Sequence, residues 1–309
     1  MTIPAPETGR AQDGPSESNS AASTPADWID VTIPARDGYE LAGHVLTGGN
    51  AAGPVVLLNS ATAVPQQFYR NFAEHLVEAG ASAAITYDYR GIGLSAPERL
   101  RGFPARMRDW ALLDMAAAVD WVAAEFPGRR LVGTGHSFGG QGLGLIENAN
   151  RFERFAAIAA MVGYFGYLNT PVSALLQMNL LGRPLSAVMG YMPGGLIGSG
   201  PPMPRHVYRE WANWCLRRGY FFADPTLDAE TKFRTYRNPL MSIRIADDVW
   251  GTERAVGALV GRFVNADVEH HVFGPGDSDG GGIGHMGFFS RRHRETLWPK
   301  VTNWLLSDA

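Results

Sequence analysis

The stretch GTGHSFGGQGLG, residues 133–144, sets one serine, Ser137, between Gly135 and Gly139 directly after the apolar pair Leu131 and Val132. Small residues on both sides of a serine suit a sharp strand-to-helix turn, where the backbone bends too tightly for neighbouring side chains. The turn presents a hydroxyl at the top of a sheet, beside the N-terminus of the next helix.

The flanking sequence supports that reading. GPVVLLNS (53–60) and SAAITYDY (82–89) are continuous apolar runs of strand length. FYRNFAEHLVEAG, between them, sets Phe68, Phe72, Leu76 and Val77 on one helical face, with Gly80 as a stop. Strand, helix and strand at this spacing predict a parallel sheet with helices across its faces. Upstream, WIDVTIPARDGYELAGHVL (28–46) reads as a hairpin. Downstream come a helix around Trp110, Leu113, Ala117 and Trp121, the strand entering the serine turn, and the apolar run FAAIAAMVGYF (155–165).

Prolines then break the rhythm over 166–237, which also holds the aromatic helix candidate HVYREWANWCLRRGYFF (206–222). The rhythm resumes with PLMSIRIADD (239–248), the helix 252–263, the strand DVEHHVFG (267–274) and a last helix with Leu297, Val301, Trp304 and Leu305. The expected organisation is a leader over 1–27, an α/β core from 28–165 and 238–309 with a mostly parallel sheet, and a mainly helical cap inserted at 166–237.

Composition narrows the function classes. The 309 residues, 45% apolar, suffice for one large core with an insertion. A net charge of −3 with dispersed signs leaves no basic footprint for nucleic acid. No run approaches the roughly 18 apolar residues of a membrane span, so no stable membrane insertion is expected. The single cysteine, Cys215, forms no internal disulfide and reads as a packing residue. Residues 1–27 are rich in Pro, Ser, Gly and Ala and have neither the basic start nor the apolar stretch of a signal peptide, so a flexible leader and a cytoplasmic location are expected.

In such sheets, chemistry gathers beyond the C-terminal strand ends. Ser137, the adjacent carboxylates Asp247 and Asp248, and His285 in GPGDSDGGGIGHMGFF all follow strands and reach that edge. A serine hydroxyl needs an imidazole to take its proton, and the imidazole needs a carboxylate to fix its tautomer. The charge developing on an attacked carbonyl needs two donors. The Phe138 amide, freed at the helix start, is one; an amide of the loop after VVLLNS, Ala61 or Thr62, is the other.

Those segments carry a resemblance. GHSFG matches a Gly-x-Ser-x-Gly elbow, YDYRGIGLS (87–95) an Asp-x-Arg-Gly-x-Gly-x-Ser segment, and IADDVWGT (245–252) the acid turn after a late strand. Together with LNSATAVPQQFYRNFA and IGHMGFF, they make residues 28–307 resemble the α/β-hydrolases, in particular a bacterial branch of predicted serine hydrolases. The resemblance implies an α/β-hydrolase fold, with Ser137 as nucleophile, Asp248 as acid and His285 as base. Asn59 and Ser60 stand where the family often has His-Gly in the first oxyanion loop.

Competing residues have simpler readings. Asp247 caps or bonds the turn, and Asp277 and Asp279 belong to a glycine-rich surface segment. His136 packs or hydrogen-bonds beneath the elbow. His270 and His271, consecutive on a strand, leave by opposite faces. No metal is expected, since Glu269 beside His270 and His271 makes no convincing ligand set, and no cofactor, since DYRGIGLS lacks the ending of a phosphate loop; Asp88 and Arg90 there hold loop and strand ends together.

The cap aromatics Tyr208, Trp211, Trp214, Tyr220, Phe221 and Phe222, with Met189, Met192 and Met203, predict an apolar or aromatic substrate pocket. Tyr208, Trp211 and Trp214 are the binding candidates. The expected function is hydrolysis of a carboxylic ester or thioester on a small acyl substrate. Acyl transfer, amide or carbon–carbon hydrolysis and non-catalytic binding are the alternatives, and the oligomeric state stays open, a homodimer included.

Overall fold

The computed structural model describes residues 28–195, 200–279 and 281–308. The leader expected over 1–27 lies outside them. Ten strands occur among the described residues: β1 Trp28–Pro34, β2 Glu40–Thr47, β3 Val55–Asn59, β4 Ala83–Tyr87, β5 Leu131–His136, β6 Arg154–Ile158, β7 Tyr191–Met192, β8 Met203–Pro204, β9 Leu240–Ile245 and β10 Val268–Phe273. Eight form one sheet in the order β1-β2-β4-β3-β5-β6-β9-β10, while β7 and β8 pair separately.

The hairpin β1-β2 is antiparallel, and β2 also runs antiparallel to β4; every other pairing in the large sheet is parallel. Helices cover both faces, which is why β3, β4 and β5 are buried at every position and read as unbroken apolar or small-residue runs. The edge strand β10 keeps Glu269 and His270 exposed, a polar rim that discourages pairing with another sheet.

The helix Arg70–Glu78 buries Phe72, Leu76 and Val77, as the periodicity predicts, together with Ala73, whereas Phe68 falls in the 3-10 turn Gln66–Tyr69 before it and is half-buried. Two elements depart from simple helical expectation. The helix containing Trp110 passes through a π-helical segment, Trp110–Met115, and the helix after the elbow is short, Phe138–Gly142. The short helix reflects its glycines, which weaken helix propagation but permit close packing.

Between β6 and β9 lies a helical insertion with helices Pro171–Leu175, Arg183–Met189, Arg205–Cys215 and Ala229–Phe233. Arg108 ties core to insertion, donating to Glu210 at 2.6 Å and to Asp224 at 2.7 Å. In the loop after β4, Asp88 accepts the amides of Gln66 at 2.7 Å and Leu94 at 2.9 Å, and Arg90 pairs with Asp37 and the fully buried Asp114. This glycine-containing segment therefore binds its own loops together.

Candidate active site

The bend after β5 has the geometry its glycines suggest. Ser137 has φ 51° and ψ −109°, a conformation that costs a non-glycine residue roughly 1–3 kcal/mol. Its amide donates to Ile158 O at 2.9 Å, and its carbonyl accepts from Gly140 and Gln141, both at 3.1 Å. A Cβ on Gly135 would lie 2.4 Å from the Gly139 carbonyl carbon, and one on Gly139 would lie 2.2 Å from Asn59 O. Neither position accepts a side chain without the turn opening.

Parallel pairing brings the loops after β3, β5, β9 and β10 to one edge. Asp248 follows β9 and is buried, with Oδ2 2.7 Å from His285 Nδ1. Its Oδ1 accepts the Trp250 amide at 2.8 Å. Burial pushes this carboxyl up, but the hydrogen bond and charge of His285, with the Gly251 and Trp250 amides, outweigh it and hold Asp248 below its ordinary 3.8. Gly251 leaves room for this approach, since a Cβ there would stand 2.5 Å from Asp248 Oδ2.

Asp247 turns the other way. Its carboxylate accepts the amides of Ile283 at 2.8 Å and Gly284 at 3.0 Å, bonding the segment that carries His285.

Ser137 and His285 line a single cavity of about 540 Å³, with Thr62, Phe68, Met161, Trp211, Trp250 and Met286 among its walls. His285 is the only ionisable side chain among its described lining residues. No hydrogen bond joins Ser137 Oγ to the His285 ring among the described residues; such contacts often tighten only around the reacting group.

Two loop amides were candidates for the second oxyanion donor. The Ala61 amide already donates to Tyr69 Oη at 2.8 Å, whereas the Thr62 and Phe138 amides have no acceptor among the described residues. Asn59 is occupied structurally: its Nδ2 donates to Thr134 O at 3.1 Å, and its Oδ1 accepts from Tyr87 at 2.8 Å.

The cap aromatics divide. Trp211 faces the cavity and stacks on Trp250 with ring centroids 6.0 Å apart. Trp214 and Tyr208 are fully buried elsewhere and, contrary to expectation, do not line the cavity. Trp214 packs on Tyr220 and Phe221, and Tyr208 donates to Met178 O at 2.6 Å. Cys215 is buried beside them, and burial pushes its thiol up.

Trp250, Met286 and Met161 were not singled out from the sequence. Met286 adjoins His285 in the chain and Trp250 follows Asp248 by two positions, and that proximity was the available signal. Among the described residues no group of His, Cys, Asp and Glu is arranged to hold a metal ion, and no helix is long and apolar enough to cross a membrane. Asp277 accepts the Gly274 amide at 2.8 Å, and His271 contacts Glu269 on the edge strand.

A family model described as the alpha/beta hydrolase family matches residues 55–296. The chain belongs to the alpha/beta hydrolase family. No curated protein matches this hydrolase significantly by sequence. Solved structures resemble it in fold. The esterase Pf2001 from Pyrococcus furiosus is 17% identical with a TM-score of 0.61, the match covering 91% of this chain and 90% of that one. The esterase EaEST from Exiguobacterium antarcticum is 16% identical with a TM-score of 0.57, covering 90% and 99%. A thioesterase domain from the curacin biosynthetic pathway is 11% identical with a TM-score of 0.54, covering 91% and 100%.

Proposed function

We propose that this hydrolase cleaves a neutral carboxylic ester or thioester through an acyl-enzyme on Ser137. The observation that carries the proposal is the buried Asp248 carboxylate on His285 Nδ1 at 2.7 Å, with that imidazole and the strained Ser137 lining one cavity. Asp248 requires the proton on Nδ1, which leaves the Nε2 lone pair to take the serine proton.

Ser137 Oγ attacks the carbonyl carbon while His285 Nε2 accepts the hydroxyl proton. The amides of Phe138 and Thr62 donate to the developing oxyanion, a contribution worth roughly 3–4 kcal/mol per donor in comparable sites. Collapse breaks the C–O or C–S bond, and His285 returns its proton to the departing alcohol or thiol. Water, deprotonated by the same imidazole, then attacks the acyl-enzyme, and Ser137 recovers its proton as the acid leaves.

The cavity supports a neutral acyl group. An ionised acyl chain would lose its hydration with no countercharge on the described walls, whereas Trp211, Trp250 and Met161 suit an apolar or aromatic portion. The fold relatives Pf2001 and EaEST are esterases and the curacin-pathway domain is a thioesterase, which agrees with this reading.

A fluorophosphonate probe tests it. Peptide mapping is expected to find the adduct on Ser137, and Ser137→Ala is expected to lose both adduct and ester turnover while staying folded. Undiminished labelling or turnover in that variant would overturn the assignment.

A further inference from the structure

Beneath the site runs a chain of hydrogen bonds that the mechanism above does not use. The Ala61 amide donates to Tyr69 Oη at 2.8 Å, Tyr69 Oη lies 2.9 Å from His136 Nδ1, and His136 Nε2 lies 2.9 Å from the His285 carbonyl oxygen. Tyr69 and His136 are both buried, in contact edge to face.

The proton positions follow from chemistry. A carbonyl oxygen only accepts, so His136 carries its proton on Nε2 and donates to His285 O. Burial, aided by the neighbouring His285, pushes His136 down to about 3, so the ring is neutral and Nδ1 is a lone pair. Tyr69 must then donate its hydroxyl proton to Nδ1, and its oxygen is left to receive the Ala61 amide.

We propose that Tyr69 and His136 are positioning residues. They bind the loop after β3, the strand under Ser137 and the backbone of His285 into one rigid unit, and by occupying the Ala61 amide they leave Thr62 as the loop's oxyanion donor. The role rests on the serine-hydrolase reading above. It differs from the hold exerted by Asp247 and Asp248: Asp247 fixes the amides just before His285 and Asp248 fixes its ring, while His136 fixes its carbonyl. His136 has both ring nitrogens committed, so it does not compete for the proton that His285 takes from serine.

The test compares His136→Asn, His136→Gln and Tyr69→Phe in the full chain, with ester turnover expressed per fluorophosphonate-titrated site. Asparagine is too short to reach the His285 carbonyl, whereas the glutamine amide can place an N–H where Nε2–H stood. His136→Asn is expected to lower kcat about 10- to 100-fold at nearly constant KM, the scale of a small misplacement of catalytic groups. His136→Gln should recover most of that loss, and Tyr69→Phe should lower kcat without lowering probe capacity.

Asn and Gln variants equally impaired, or a kcat per titrated site unchanged in both His136→Asn and Tyr69→Phe, would overturn the positioning role while leaving the serine assignment standing. Failure of wild-type protein to label at Ser137 would overturn both. If His136→Asn does not fold, a normal kcat per titrated site in Tyr69→Phe is sufficient to refute the role.

Discussion

Asp247 and Asp248, adjacent in the chain, hold the same histidine from two directions: Asp248 meets the His285 ring at Nδ1, and Asp247 receives the backbone amides of Ile283 and Gly284 just before it. One carboxylate sets the tautomer and the other sets the backbone path. The two substitutions should therefore separate kinetically.

Asp248→Asn is expected to reduce kcat by up to about 10⁴, the loss typical when an imidazole is held in the wrong tautomer. Asp247→Asn keeps one acceptor oxygen and should cost far less turnover. Parallel kinetics on folded variants decides the matter, and a reversed ranking would transfer the acid role to Asp247.

Trp211 and Trp214 should also separate. Trp211→Ala opens the cavity wall and is expected to change relative kcat/KM across esters of different acyl size, where each buried methylene counts for about 0.8 kcal/mol. Trp214→Ala removes a core side chain and should cost about 3–5 kcal/mol of stability, with an unaltered acyl preference in the protein that remains folded. Denaturant unfolding and a p-nitrophenyl ester panel measure the two effects.

Charge on the acyl chain provides a third test. An ester with an apolar acyl chain should be hydrolysed with far higher kcat/KM than one of equal length ending in a carboxylate, because the described cavity lining holds no cation to pair with it. Equal rates for the two would refute the neutral-substrate reading.

The buried His136 predicts an acid dependence of stability. Its native value is lowered to about 3, against an ordinary 6.5 in the unfolded chain, so between these values the unfolded state binds the extra proton. Stability contributed by the neutral ring is complete above the unfolded value and falls with decreasing pH at about 1.4 kcal/mol per pH unit across that window. Unfolding free energies of His136→Gln should show a correspondingly shallower slope from pH 6.5 towards 4. An unchanged slope would mean that His136 is protonated in the native protein.

The elbow, the strand succession and the common edge of Ser137, Asp248 and His285 were legible in the sequence because each rests on a local constraint. Glycine flanks permit the sharp turn, unbroken apolar runs mark doubly covered strands, and a parallel sheet carries the ends of those strands to one side. The choices among neighbours were not local. Trp211 and Trp214 lie three residues apart, on adjacent rows of one helix, so periodicity could not separate them; Trp250 stacked on the first, and Tyr220 and Phe221 packed on the second, decide which meets the cavity. Ala61 and Thr62 are likewise consecutive amides of one loop, and it is the hydroxyl of Tyr69, delivered from the segment after that loop, that engages the first and leaves the second without an acceptor among the described residues. Such choices depend on which polar group arrives within hydrogen-bonding distance from elsewhere in the chain, and only the folded packing brings those groups together.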